Sequence, residues 1–160
     1  MSKTKAESVY RDFEFHTMLI HRFVDGVTHE ESIWQLPFEH NCMNWILGHI
    51  VANRSHVLEV FTISHAWRDE ILGRYHTETP PVTPESESVQ FDQLITYLDE
   101  SVTLLKPALA QMTDEQIDTL HTNYRGEKSR YDHAKGFHWH EAFHLGQLEI
   151  LQAFIASKRD

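Results

Sequence analysis

Four separated stretches of this chain repeat their apolar residues every three to four positions. None of useful length alternates apolar with polar, so the chain is restricted to helices that bury one stripe against one another. Val9, Phe13, Thr17, Ile20, Val24 and Val27 form the first stripe, expected to end near Gly26 to Thr28. Thr28-His-Glu-Glu31 has capping-box form and predicts a short helical turn before the break at Pro37. The second helix follows, with Asn41 or Asn44 as its cap. Trp45, Ile46, His49, Ala52, Asn53, His56, Val57 and Val60 all fall within about 80° of His49 on it. Leu47, Ile50, Val51 and Leu58 make its other flank apolar too, which predicts a helix deep in a bundle or at a subunit contact.

From Gly73 to Ser88 the chain is polar and carries Pro80, Pro81 and Pro84, as a long crossover loop would. Phe91, Leu94, Ile95, Leu98, Val102 and Leu105 mark a third helix that Pro107 is expected to kink or end. Thr113-Asp-Glu-Gln116 again has capping-box form, and Leu120 to Arg130 reads as irregular around Gly126. Ser129 or Asp132 can cap the last helix, whose face carries His133, Phe137, His140, His144, Gln147, Leu148, Leu151 and Ile155. The prediction is an all-α four-helix bundle with its long crossover between helices two and three, forming one domain over residues 1–160.

Composition narrows the partners. With 41% hydrophobic and 24% charged residues the chain is an ordinary globular protein. Its net charge of −10 disfavours nucleic acid and anionic membrane surfaces. No apolar run follows Met1 to Ser8, so neither a signal peptide nor a membrane span is expected, and a cytoplasmic location is. Cys42 stands alone, which fits a reducing compartment and excludes a cysteine-based zinc cage.

The unusual count is 13 histidines. His21, His29, His40, His65, His76, His121 and His138 lie in stretches expected to be solvated surface. His16 and His133 are expected to cap helix ends or stand partly exposed.

The sharpest local signal is Trp139-His140-Glu141-Ala142-Phe143-His144-Leu145-Gly146-Gln147. Positions i and i+4 set two imidazoles about 40° and one turn apart, close enough to share an ion. Both lie on the apolar face, where neutral imidazoles need a hydrogen-bond partner or a metal to offset desolvation. His140-Glu141-x-x-His144 is also the zincin pattern, with Glu141 as general base of a metalloprotease. Zincins take a third ligand further on. Here Gln147 stands where the extended pattern needs Gly, and only Glu149 and Asp160 remain as acids, so the protease is the weakest alternative.

The third ligand is better sought upstream, where Asn44-Trp45-Ile46-Leu47-Gly48-His49 lies on the buried second helix. An Asn-Trp-x-x-Gly-His segment followed about ninety residues later by His-x-x-x-His-x-Gly-Gln resembles the DinB/YfiT-like superfamily, over nearly the whole chain and with the same helix order and crossover. The resemblance implies a four-helix bundle, often dimeric, with a divalent metal on three histidines, here His49, His140 and His144. It also implies a low-molecular-weight thiol as co-substrate, as in bacillithiol transferases and mycothiol-dependent maleylpyruvate isomerase, or hydrolase activity. Fold and ligands carry over better than substrate.

Three neutral nitrogens would leave the ion's charge uncompensated and a coordination position open, as in catalytic sites. Zinc or nickel suits imidazole best, with manganese or iron as alternatives. A thiol or water acidified there makes the expected function a thiol S-transferase or small-molecule hydrolase, in a homodimer. The alternative is a non-catalytic metal-binding or stress-associated module. Asn53 and His56, one and two turns beyond His49, are candidate pocket residues, and Glu141 a candidate base. Gln147 is expected to hydrogen-bond within the core, Gly146 to permit close helix approach, and Trp45 and Trp139 to be core aromatics.

Overall fold

The computed structural model describes residues 4–159. Met1 to Lys3, part of the polar N-terminal stretch, and Asp160, the last acid weighed as a ligand, lie outside the described residues. Thr4 caps helix α1 (Lys5–Val24) by accepting a hydrogen bond from Glu7 N, and Val9, Phe13, Thr17, Ile20 and Val24 are buried as their spacing predicts. The helix ends where Gly26 takes a positive φ of 68°, the left-handed conformation that lets a chain turn away from a helix. The short α2 (His29–Ser32) carries the predicted capping box, with Thr28 and Glu31 bonding each other's backbone N–H.

Helix α3 (Met43–Val60) is buried at all but two of its eighteen positions, His56 and Glu59. It begins one residue after Cys42, not at an asparagine cap. Asn44 lies inside the helix, where its side chain serves a tertiary contact instead. The crossover contains α4 (Arg68–Tyr75), which takes in Gly73, placed in the loop by the sequence pattern. Arg74 orders the proline-rich remainder by donating to the carbonyls of Glu87 (2.7 Å) and Pro80 (2.9 Å).

Helix α5 (Phe91–Ala110) runs through Pro107. A proline this near a C-terminus forgoes one backbone bond and leaves the rest of the ladder intact, so the helix is not broken. The short α6 (Asp114–Ile117) has its capping box. The longest helix, α7 (Arg130–Arg159), is started by Ser129, whose Oγ accepts from Asp132 N at 3.0 Å. Helices α1 and α3 each pack on both α5 and α7, so the four long helices form the predicted bundle.

Besides α4, the sequence pattern missed a hairpin. Residues 120–130 are not irregular but an antiparallel hairpin, β1 (Leu120–Asn123) with β2 (Gly126–Ser129), in the register Leu120↔Ser129 to Asn123↔Gly126. Its strands are short and mostly polar, so they show no apolar alternation. Their turn is set by chemistry: Asn123 Oδ1 accepts from Arg125 N at 2.8 Å, and Gly126 takes φ 91°. His133 clamps the hairpin to α7, its Nε2–H donating to the His121 carbonyl at 2.9 Å. It is therefore a buried structural histidine and not a partly exposed one. No helix of the described residues is long and apolar enough to cross a membrane.

Candidate metal centre

The three imidazoles of His49 on α3 and His140 and His144 on α7 converge, with one ring nitrogen from each lying within 4.8 Å of the others. His140 Nε2 is 3.1 Å from His49 Nε2 and 3.0 Å from His144 Nε2. His49 and His144 are buried, and His140 is half-buried.

The surrounding groups decide which nitrogens carry hydrogen. His49 Nδ1 faces the carbonyl of Tyr75 at 2.9 Å. A carbonyl only accepts, so the hydrogen is on Nδ1 and the Nε2 lone pair is turned to the cluster, where Asn53 Nδ2 also lies 3.1 Å away. His144 is oriented through two neighbours. His40 Nδ1–H donates to the Asn41 carbonyl (2.8 Å), leaving His40 Nε2 to accept from Gln147 Nε2 (3.2 Å). That turns Gln147 Oε1 to the Nδ1–H of His144 at 2.6 Å, and His144 Nε2 is again left with its lone pair.

His140 Nε2 thus faces two nitrogen lone pairs and has at most one hydrogen to give. One lone-pair contact stays repulsive unless a cation sits among the three, so the donor set fits a metal. A tetrahedral ion with nitrogens at about 2.0–2.1 Å would hold them about 3.3–3.4 Å apart, close to the spacing here. Burial first, and neighbouring imidazoles after it, pull all three histidines below their ordinary value, His49 to about 4. The neutral form, which is the ligand form, is therefore the one present at neutral pH.

The Asn-Trp-x-x-Gly-His segment has a structural explanation. Asn44 Oδ1 accepts from the Tyr75 hydroxyl (2.8 Å), Gly48 makes room for the Tyr75 ring, and the carbonyl of the same residue holds His49. Trp45 stacks on the His49 ring at 4.9 Å and 10°. Tyr75 was not anticipated from sequence, because nothing in an isolated Arg-Tyr-His segment announces a contact with a residue 26 positions earlier.

A cavity of about 100 Å³ opens beside His49 and His140, lined by Asn53, His56, Tyr75, Tyr124 and Arg125 among others. Asn53 Nδ2 donates to the His49 carbonyl at 2.8 Å and lies 3.1 Å from His49 Nε2, at the edge of the three-nitrogen cluster. His56 stacks on Phe137 at 5.9 Å, with its Nδ1 3.3 Å from Glu59.

Glu141 lies elsewhere. Its carboxylate is in a bidentate pair with Arg54, at 2.6 Å to Nε and 2.7 Å to Nη2, and 3.2 Å from His16 Nδ1, with both members of the ion pair buried. Burial alone would raise this carboxyl. The Arg54 charge and hydrogen bonds, with His16, overcome it and hold the group at about 2. Arg54 also donates to the Phe13 carbonyl and Thr17 Oγ1, tying α1, α3 and α7 together. The signal for it was legible: a lone arginine on a helix apolar on both flanks needs a buried acid.

Several placements differ from expectation. His16 is buried against His138, ring to ring at 4.0 Å, instead of capping a helix end or standing partly exposed. His29, His40, His65, His121 and His138 are half-buried, leaving only His21 and His76 of the seven at the surface. Trp45 is a core aromatic, but Trp139 is 73% exposed, since it lies on the outer side of α7. A Cβ at Gly146 would meet nothing within 4 Å among the described residues, so no other helix approaches closely there. Cys42 is buried, with its thiol 3.6 Å from the Val82 carbonyl and pushed up by burial.

Comparison with known proteins bears on the fold. The family model of the DinB superfamily matches residues 12–148. A crystal structure of a conserved protein from Enterococcus faecalis superposes with a TM-score of 0.71 at 14% identity, covering 98% of this chain and 99% of that one. No curated protein sequence matches.

Proposed function

Since the chain belongs to the DinB superfamily, we propose that it is a divalent-metal enzyme, holding zinc or nickel on His49, His140 and His144 and acting on a small molecule with a thiol or water as nucleophile. The carrying observation is that His140 Nε2 meets two nitrogens whose hydrogens are committed to the far side of their rings. Imidazole donors suit zinc and nickel. The ion would supply the Lewis acidity that lets a thiol or water react near neutral pH.

The chain's own residues do the rest. Tyr75 and Gln147 orient two rings, Trp45 packs one of them, and Asn53 sits where it can hydrogen-bond a ligand entering from the cavity. We assign Glu141 a positioning role, not that of a base, because its oxygens are taken by Arg54 and His16. The same observation disfavours a zincin-type protease. We also propose a homodimer through the outer faces of α1 and α7, where Phe15, Met18, Trp139, Phe143 and Ile150 are all more than half exposed.

Metal analysis of the protein and of His49→Ala, His140→Ala and His144→Ala tests the site, with metal lost in each variant. Retention after removal of His49 overturns the three-histidine assignment. The loaded protein should conjugate a low-molecular-weight thiol to an aryl halide or hydrolyse a chromogenic ester. If metal is bound but neither reaction occurs, the protein is a non-catalytic metal-binding module.

A further inference from the structure

The hairpin delivers an arginine to the metal cavity. Arg125 stands in the β1–β2 turn and lines the same space as His49, His140 and Asn53. Its guanidinium lies 4.0 Å from the centre of the Phe137 ring, which fixes its plane, and its Nε donates to the Tyr124 hydroxyl at 3.2 Å. Arg11, Arg54, Arg68 and Arg159 each hold a carboxylate. Arg125 is half-buried, yet among the described residues no carboxylate reaches it and its two Nη groups have no hydrogen-bond partner.

No residue lining the cavity is acidic, in a chain whose net charge is −10. The space is small, about 100 Å³. Ligand sites for drug-sized molecules run to about 300–1,000 Å³, so this space suits a group of a few heavy atoms and not a nucleotide. A fixed, forked and unpaired guanidinium in such a space matches the geometry of a carboxylate, which it can hold through two parallel N–H···O bonds.

We propose that Arg125 binds the carboxylate of a small molecule whose other end reacts at the three-histidine site. This rests on the metal reading above and adds the substrate class: a small carboxylate-bearing compound. Tyr124 and Phe137 hold the guanidinium in position, and the Asn123 turn sets the backbone beneath it.

Mercaptoacetate and mercaptoethanol differ in the carboxylate and share the thiol. Each is titrated into the cobalt-loaded protein, following the cobalt–thiolate absorption band, and into Arg125→Gln and Arg125→Lys. The expected result is that mercaptoacetate binds tighter than mercaptoethanol by about tenfold or more. In Arg125→Gln that ratio falls about tenfold while the mercaptoethanol Kd stays within about twofold, and Arg125→Lys is intermediate. An unchanged ratio in Arg125→Gln means that mercaptoacetate is favoured by chelation alone, and overturns the subsite while leaving the metal site standing. If neither thiol gives the band, the metal reading has failed. The Arg125 Nε–H resonance then decides, on titration of metal-free protein with malonate: a saturable shift upholds the carboxylate subsite and no shift overturns it.

Discussion

The Tyr75 ring lies across Gly48, where a Cβ would stand 2.5 Å from the ring's Cγ and nearer still to Cδ1 and Cε1. One close approach therefore seats α4 on α3 and brings the Tyr75 carbonyl to His49. In an unobstructed helix, Gly→Ala stabilises by about 1 kcal/mol. Here the methyl must push the ring away, an overpacking cost of about 1–3 kcal/mol. Gly48→Ala is expected to lower the melting temperature and weaken zinc binding. A higher melting temperature with unchanged zinc affinity would refute the coupling.

Gln147 orients His144 and is itself oriented by His40. Losing a partner that orients a ligand typically costs 10- to 100-fold in metal affinity, about 1.4–2.7 kcal/mol. Gln147→Leu is expected to weaken zinc by about that factor in competition with a chelator. An unaltered affinity would show that His144 needs no such partner.

Arg54 and Glu141 are a buried pair, so the two single changes and the double change should not add. Arg54→Met leaves a carboxylate without its partner, at a cost of about 3–5 kcal/mol in urea unfolding. Arg54→Met with Glu141→Leu removes both charges and is expected to be more stable than Arg54→Met alone. If the double change is as damaging as the sum of the singles, the pair is not the coupled unit the geometry indicates.

Acid should destabilise the metal-free protein in two windows. Burial holds His49 at about 4, against an ordinary 6.5, and lowers His56, His140 and His144 as well. The unfolded chain therefore takes up protons first, and stability present above pH 6.5 is lost as pH falls towards 4. His49 alone contributes about 3 kcal/mol at most. Glu141, held at about 2 against an ordinary 4.5, extends the loss from pH 4.5 downwards. His49→Gln should flatten the upper window in chemical denaturation curves taken across pH. An equal slope in variant and parent would remove His49 as its source.

Trp139→Glu places a charge in the middle of the exposed apolar face of α7. Sedimentation should show a dimer for the parent and a monomer for the variant, with the fold retained because Trp139 contributes nothing to the core. A monomeric parent would remove the basis for the dimer.

Helix stripes and capping boxes were legible because they depend on residues within about four positions of one another. Thr28 with Glu31 and Thr113 with Gln116 formed as written. The hairpin was not legible, since its polar strands carry no periodicity and its turn rests on Asn123 and Gly126. Nor was Trp139 readable as exposed: a helix turns every residue towards some direction, and only its neighbours determine which directions are interior.

The local order of residues by itself determined four long helices and the i, i+4 placement of His140 and His144, because 3.6 residues per turn is a property of the backbone. The resemblance named His49 as the partner of that pair, and the tertiary structure brings the three together. Only the tertiary structure decided that Tyr75 and Gln147 orient the rings, that Glu141 belongs to Arg54, and that Arg125 faces the cavity. Those relationships join positions 3 to 95 residues apart, and all but the shortest depend on how separate helices and a hairpin pack, which no spacing rule along one element encodes.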